Sequence, residues 1–170
     1  MYIKGDYILN PSSNIYIDLQ HRIINYSFEG YDEKGYSTIQ NVKLDFFNPK
    51  FGVYHQINDH SSLYASYAVA NKEPNRNDYV ESTPQSRPKH ETLYDTEIGY
   101  KISNERYKLN INFYHMDYNN QLALTGKIND VGAYTRNNVK TSYRQGIEID
   151  GRYEVSKKLI FDGNLTLSSN

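Results

Sequence analysis

Apolar and polar residues alternate along most of this chain, and helical spacing is hard to find. The clearest run puts Tyr143, Gln145, Ile147, Ile149, Gly151, Tyr153 and Val155 on one face. Its opposite face is Arg144, Gly146, Glu148, Asp150, Arg152 and Glu154. A two-residue period sends successive side chains to opposite sides of a β-strand. The pattern recurs at residues 15–23, 63–69, 94–102 and 107–113, with shorter runs at 3–9, 51–57 and 159–167. It predicts an all-β fold of about eight strands.

The links between these runs predict how the strands are arranged. Four are short and turn-like, at residues 10–13, 58–60, 103–105 and 156–158. Three are long and polar, at 28–48, 71–90 and 118–141, and the two kinds alternate strictly. In an antiparallel up-and-down meander every short link then lies at one end and every long one at the other. Short turns at one end and long loops at the other is the plan of an outer-membrane barrel. Several runs last about 10 to 13 residues, near the 9 to 11 that a tilted strand needs to cross the hydrocarbon. On the apolar face, Tyr7, Tyr107 and Tyr153 sit near the short turns and Tyr67 and Tyr143 near the long loops. Phenol rings suit the headgroup boundary, with the body buried and the hydroxyl wet. A soluble antiparallel sheet with one wet face also alternates, but nothing in such a fold sorts loops by length.

Composition narrows the function classes. Among 170 residues there are 18 tyrosines and 19 asparagines, which favour strands and turns over helix. A net charge of −1 removes the electrostatic footprint of a nucleic-acid binder. The absence of cysteine excludes a disulfide framework, a thiolate metal site and a cysteine nucleophile. No apolar stretch reaches the ~20 residues of a membrane helix, a test that says nothing against a barrel. No H-E-x-x-H, G-x-S-x-G or phosphate-loop pattern occurs, so no enzyme, metal or cofactor chemistry is expected. Glu148 and Asp150 share a face as a carboxylate pair might, but Arg144 and Arg152 share it too. The four read as a charge ladder facing a wet lumen. His21, His55 and His115 fall on the apolar face, where packing or a membrane-border position is expected. The long loops offer Arg76, Asn77, Tyr79, Arg87, His90, Tyr134 and Arg136 as candidate ligand contacts, with ordinary solvated charge as the plainer reading of the arginines. No apolar targeting segment follows Met1, and the last residues lie inside an alternating run. The chain therefore reads as a segment of a longer protein.

Specific words then appear in order. Residues 44–53 (LDFFNPKFGV) run into 62–70 (SLYASYAVA), followed by 71–79 (NKEPNRNDY), 88–92 (PKHET) and 97–100 (EIGY). Further on come 112–122 (NFYHMDYNNQL), Asn137-Asn138 and 145–148 (QGIE). Together they resemble the second half of the barrel in TonB-dependent outer-membrane receptors. Lys72-Glu73-Pro74 stands where the family often has an aromatic residue and an arginine, and His90 replaces a usual proline. The histidine that a haem ligand would need is not at the matching place.

The resemblance implies that residues 1–170 are part of a transmembrane barrel of 22 strands closed around a plug. The plug, the TonB-binding box, the signal peptide and the last strands are expected to lie outside this segment. It further implies import of a scarce nutrient, such as a ferric siderophore or cobalamin, with energy from TonB acting through the plug. The partners expected are TonB, that nutrient and outer-membrane lipid. Two other readings stay open on the residues alone: a complete small eight-stranded outer-membrane protein, structural or adhesive, and a soluble lipocalin-like β carrier. The segment is not expected to fold as a monomer in water.

Overall fold

The computed structural model describes residues 1–30, 39–80, 87–128 and 134–170. Eight antiparallel strands form one sheet in chain order. They are β1 (Tyr2–Asn10), β2 (Ser13–Phe28), β3 (Gln40–Asn58), β4 (Ser61–Lys72), β5 (Glu91–Ser103), β6 (Tyr107–Ile128), β7 (Tyr134–Ser156) and β8 (Leu159–Ser169). A short helix, α1 (Arg76–Val80), lies between β4 and β5. β1 and β8 are the two edges and do not pair, so the sheet does not close on itself. This is the up-and-down meander that the alternation predicts.

The four short links use one device. A polar side chain in each accepts a hydrogen bond from the backbone N–H two residues on: Asn10 from Ser12 at 2.9 Å, Asn58 from His60 at 2.9 Å, Asn104 from Arg106 at 2.9 Å and Ser156 from Lys158 at 3.3 Å. A short polar side chain that mimics a backbone turn reverses the chain without a long loop. All four turns lie at one end of the sheet.

At the other end the strands run further than the alternation suggests. β3 begins at Gln40, and β6 and β7 extend to Ile128 and Tyr134, so parts of the expected loops 28–48 and 118–141 are strand. The reason is a change of phase. Ile15, Ile17 and Leu19 of β2 point outward, whereas Ile24, Tyr26 and Phe28 share the opposite face. In β3, Phe47 and Phe51 point outward while Val42, Leu44 and Phe46 point inward. Apolar side chains change sides at the border, so a single alternating template breaks there while the backbone ladder continues.

Below that border the outward face is an apolar wall. Ile17, Phe51, Leu63, Ile98, Phe113, Ile147 and Leu165, from seven different strands, are each between 41% and 52% exposed. Such a surface far exceeds the patches found on soluble monomers. The inner face carries Asp18, Lys50, Asp95, Glu97, Asn110, Asn112, Glu148 and Arg152. The histidines of the outward face form polar pairs: His21 with Asp45, His115 with Asp117 at 3.1 Å, and His55 with Ser13 at 2.8 Å.

Two side-chain devices keep the wall continuous. Tyr16, Tyr64 and Tyr114 each lie directly opposite a glycine, namely Gly52, Gly99 and Gly146. The rings occupy the space over these glycines: a β-carbon on Gly99 would fall 2.1 Å from the Tyr64 ring. Tyr64 is held there by its hydroxyl, which donates to Asn112 at 2.9 Å, and by Lys101 at 5.2 Å over the ring. This aromatic cover compensates for the missing side chain of a strand glycine. Where β3 and β4 part at Lys50 and Ala68, next to Pro49, side chains take over from the ladder. Asn48 accepts from the Asn71 backbone at 2.9 Å, and Asn71 accepts from Thr92 at 2.8 Å.

Gly99→Ala in the full-length protein is expected to cost about 1–3 kcal/mol by displacing the ring. Adding Tyr64→Ala should recover part of that loss. Urea unfolding of both single variants and the double variant measures it, and strict additivity would contradict the contact.

Candidate functional site

Above the apolar wall the β2–β3 and β6–β7 hairpins stand higher than β4 and β5, which pair only as far as Lys72 and Glu91. The described parts of the β4–β5 link, residues 73–80 with α1 and residues 87–90, lie between them and form a strap. Asn75 precedes the helix, and the Asp78 carboxylate accepts the Asn75 backbone N–H at 2.7 Å, half of a capping box. Pro74 is fully buried under this turn.

The strap is fastened to both hairpins. On the β2–β3 side the Tyr79 ring packs on Phe28 with centroids 6.2 Å apart, and Gln40 Nε2 donates to the Tyr79 carbonyl at 2.6 Å. His90 meets Phe46 edge-on at 5.3 Å, while the Arg22 guanidinium lies 5.2 Å from the Phe46 ring centroid. Phe46 is 1% exposed. Arg22 also reaches Glu73 at 3.8 Å. On the β6–β7 side Arg136 pairs with Asp78 at 3.4 Å. The Asn138 amide accepts from the Lys89 N–H at 2.7 Å and donates to the carbonyls of Lys89 at 2.9 Å and Asn120 at 2.7 Å. Asn120 itself adopts φ 53°, a left-handed conformation that asparagine tolerates better than most residues. Glu91 accepts the Leu122 N–H at 2.7 Å, extending the β5–β6 join beyond the ladder. Between strap and β3 lies a cavity of about 280 Å³, with Val42, Leu44, Tyr79, Arg87, His90 and Asn120 among its lining residues.

The structure brings most of the loop candidates to this strap. Arg76, Asn77 and Arg87 are exposed, and Arg76 lies 5.8 Å from the Phe28 ring centroid. His90 is half-buried against Phe46. Tyr79 is buried, and Arg136 reaches the strap through Asp78. Tyr134 is the first residue of β7, and its side chain lies outside the described residues. Burial, with the charge of Glu73 and the Tyr26 phenol adding to it, pushes the Tyr79 phenol up to about 12. The residues that sequence reasoning missed are those that fasten the strap: Arg22, Gln40, Phe46, Asp78 and Asn138. One signal was available, the Asn75-x-x-Asp78 spacing after Pro74, which marks a helix start.

Arg144, Glu148, Asp150 and Arg152 share the inner face of β7, alternating with Gln145, Ile147, Ile149 and Gly151. Arg152 pairs with Asp162 at 3.3 Å, and Arg144 donates to Asn170 at 3.2 Å. Near the short-turn end, Asp150 and Arg152 line an inward cavity of about 500 Å³ together with Lys101, Lys108, Asn110 and Asp162. These charges are exposed and partly paired.

Residues 16–170 match the family described as TonB dependent receptor-like, beta-barrel. The chain belongs to that family. Solved TonB-dependent receptors are accordingly among the structures it resembles. The siderophore receptor PirA from Pseudomonas aeruginosa superposes with a TM-score of 0.72 at 16% identity, over 99% of this chain and 30% of that one. The FrpB iron transporter from Neisseria meningitidis, F3-3 variant, gives 0.70 at 20% identity, over 98% and 24%. The copper transporter OprC gives 0.79 at 12% identity, over 98% and 29%. The chain thus spans less than a third of the length of these receptors, and at such identities the likeness is one of fold. No curated protein matches it in sequence.

Tyr79 tests the packing of the strap. Its raised pKa means that the packed state favours the neutral phenol, so its contribution is full below about pH 10 and is lost as pH rises through about 12. The difference in phenolate absorbance between wild type and Tyr79→Phe should show one phenol ionising near 12. Ionisation near the ordinary tyrosine value would mean that the strap is open.

Proposed function

We propose that this segment forms part of the wall and outer mouth of a receptor in the bacterial outer membrane. The receptor imports a scarce nutrient, such as a ferric siderophore, with energy from TonB acting through a plug domain outside this segment. The observation that carries the reading is the sorting of the molecule by height. An apolar outward band with a polar inner face stands beneath one end that gathers every long link and the strap. Outer-membrane barrels place their short turns in the periplasm and their long loops outside. The strap then faces arriving ligand, and the ladder of Arg144, Glu148, Asp150 and Arg152 faces the lumen beside the plug. The similar proteins are a copper transporter, an iron transporter and a siderophore receptor, which favours a metal complex over cobalamin.

In this reading Arg76, Asn77, Arg87 and His90 contact the ligand directly. Tyr79 and Arg136 act by holding the strap that positions them, and Tyr134 opens the neighbouring hairpin. A small closed barrel is disfavoured by the unpaired edges of β1 and β8. A soluble carrier is disfavoured by an outward apolar face that none of the described residues covers.

The test is uptake of radiolabelled iron from a panel of ferric siderophores by cells that make the full-length receptor as their sole importer. Uptake of at least one complex is expected, with loss in cells lacking TonB. Arg76→Ala and Arg87→Ala should each weaken binding about tenfold to a hundredfold, the worth of a charged hydrogen bond. Uptake that persists without TonB would contradict the function.

A further inference from the structure

We propose that the cavity between the strap and β3 binds one oxyanion group, a carboxylate or a phosphate, and that its occupancy fastens the strap to β3. The inference deepens the receptor reading above and rests on it for the place of the strap at the mouth. The cavity holds about 280 Å³, and every described lining residue belongs to β3, the strap or β6. The edge strands β1 and β8 take no part in it.

Its charge is of one sign. Lys43 of β3 lines it together with Arg87, Lys89 and His90 of the strap, with the amides of Asn41 and Asn120 beside them. None of the described lining residues is a carboxylate. The nearby carboxylates are engaged elsewhere. Glu73 reaches Arg22 at 3.8 Å, Asp78 pairs with Arg136 at 3.4 Å, Asp45 pairs with His21, and Glu91 accepts the Leu122 N–H at 2.7 Å. Among the described residues, Lys43, Arg87 and Lys89 form no ion pair. Like charges gathered in one hollow repel until an anion enters.

The two sides of the strap are also held unequally. Toward β7 the Asn138 amide takes both backbone polar groups of Lys89, at 2.7 and 2.9 Å. Toward β3 no backbone hydrogen bond joins residues 41–44 to residues 87–90 among the described residues, because β3 leaves its ladder with β4 at Lys50. An oxyanion that accepts from Lys43 on one side and from Arg87 and Lys89 on the other closes that span. The arginine fork matches the geometry of a carboxylate or phosphate, and the lysines follow as point charges on flexible stems. Pockets for whole drug-sized ligands run from about 300 to 1,000 Å³, so this cavity suits one charged group rather than an entire metal complex. That group comes either from the arriving ligand or from a free anion in the medium.

The full-length receptor, purified in detergent without phosphate or carboxylate buffers, is titrated with inorganic phosphate by calorimetry. Saturable binding of one phosphate is expected. Lys43→Gln and Lys89→Gln should each weaken it about tenfold or more, the worth of a charged hydrogen bond. Lys158→Gln, at the short-turn end, removes the same charge and should leave binding unchanged. The site is overturned if phosphate shows no saturable binding, or if the first two variants weaken it no more than Lys158→Gln does. The source of the anion is read by adding phosphate to receptor that holds the radiolabelled ferric siderophore found in the uptake test. Competition means that the ligand's own anionic group takes the site, and unchanged or tighter binding means that a free anion does. TonB-dependent uptake by a receptor that binds no phosphate contradicts this site alone. Phosphate binding in a receptor whose uptake does not need TonB contradicts the transport reading alone.

Discussion

A peptide group cannot stay unpaired in hydrocarbon, and this requirement orders the rest of the structure. Each unsatisfied N–H or C=O there costs several kcal/mol, so only helices and closed barrels cross a bilayer. Among the described residues no helix is long and apolar enough to cross, and seven successive antiparallel ladders pair the backbone instead. Its irregularities are consistent with that demand. Where Pro49 lacks an N–H and β3 leaves β4, the side chains of Asn48 and Asn71 supply hydrogen bonds. Where the chain reverses, Asn10, Asn58, Asn104 and Ser156 satisfy turn amides locally. The edges of β1 and β8 leave a row of backbone groups unpaired, which presents the same requirement at both sides of the sheet.

The second ordering principle is that apolar side chains follow whatever covers them. In the membrane reading the lower cover is lipid, and Ile17, Phe51, Phe113 and Ile147 point outward. Above it the cover is the strap, and Val42 and Phe46 point inward at 4% and 1% exposure. The switch occurs within adjacent residues, Ile23-Ile24 in β2 and Phe46-Phe47 in β3. One sheet thereby serves two environments without a break in its backbone.

This switch explains what could be read from the sequence and what could not. Residues 143–155 were legible because apolar Ile147 and Ile149 alternate strictly with charged Glu148 and Asp150 along one uninterrupted ladder. Residues 40–48 were not, because Val42, Leu44 and Phe46 alternate in the opposite phase and merge with the run below into an aperiodic stretch. The family was legible in ordered words such as 62–70 and 97–100, which lie at bilayer height. The strap was harder. Its fastenings join residues as distant in sequence as Gln40 and Tyr79, or Lys89 and Asn138, and no local pattern announces such pairs. Arg136 and Tyr79 stood out as candidates by residue type alone, and type does not tell a side chain that meets a ligand from one that holds a loop.

The claim that most depends on all this is the division of each strand between lipid and lumen. Single cysteines placed along β7 of the full-length receptor in native outer membranes test it, since this segment has none of its own. Positions 148, 150 and 152 should react with a water-soluble thiol reagent when the lumen is accessible. Positions 147, 149 and 153 should resist that reagent, and a probe attached there should be quenched from the lipid phase. Equal reactivity along the run, or the opposite alternation, would contradict the account.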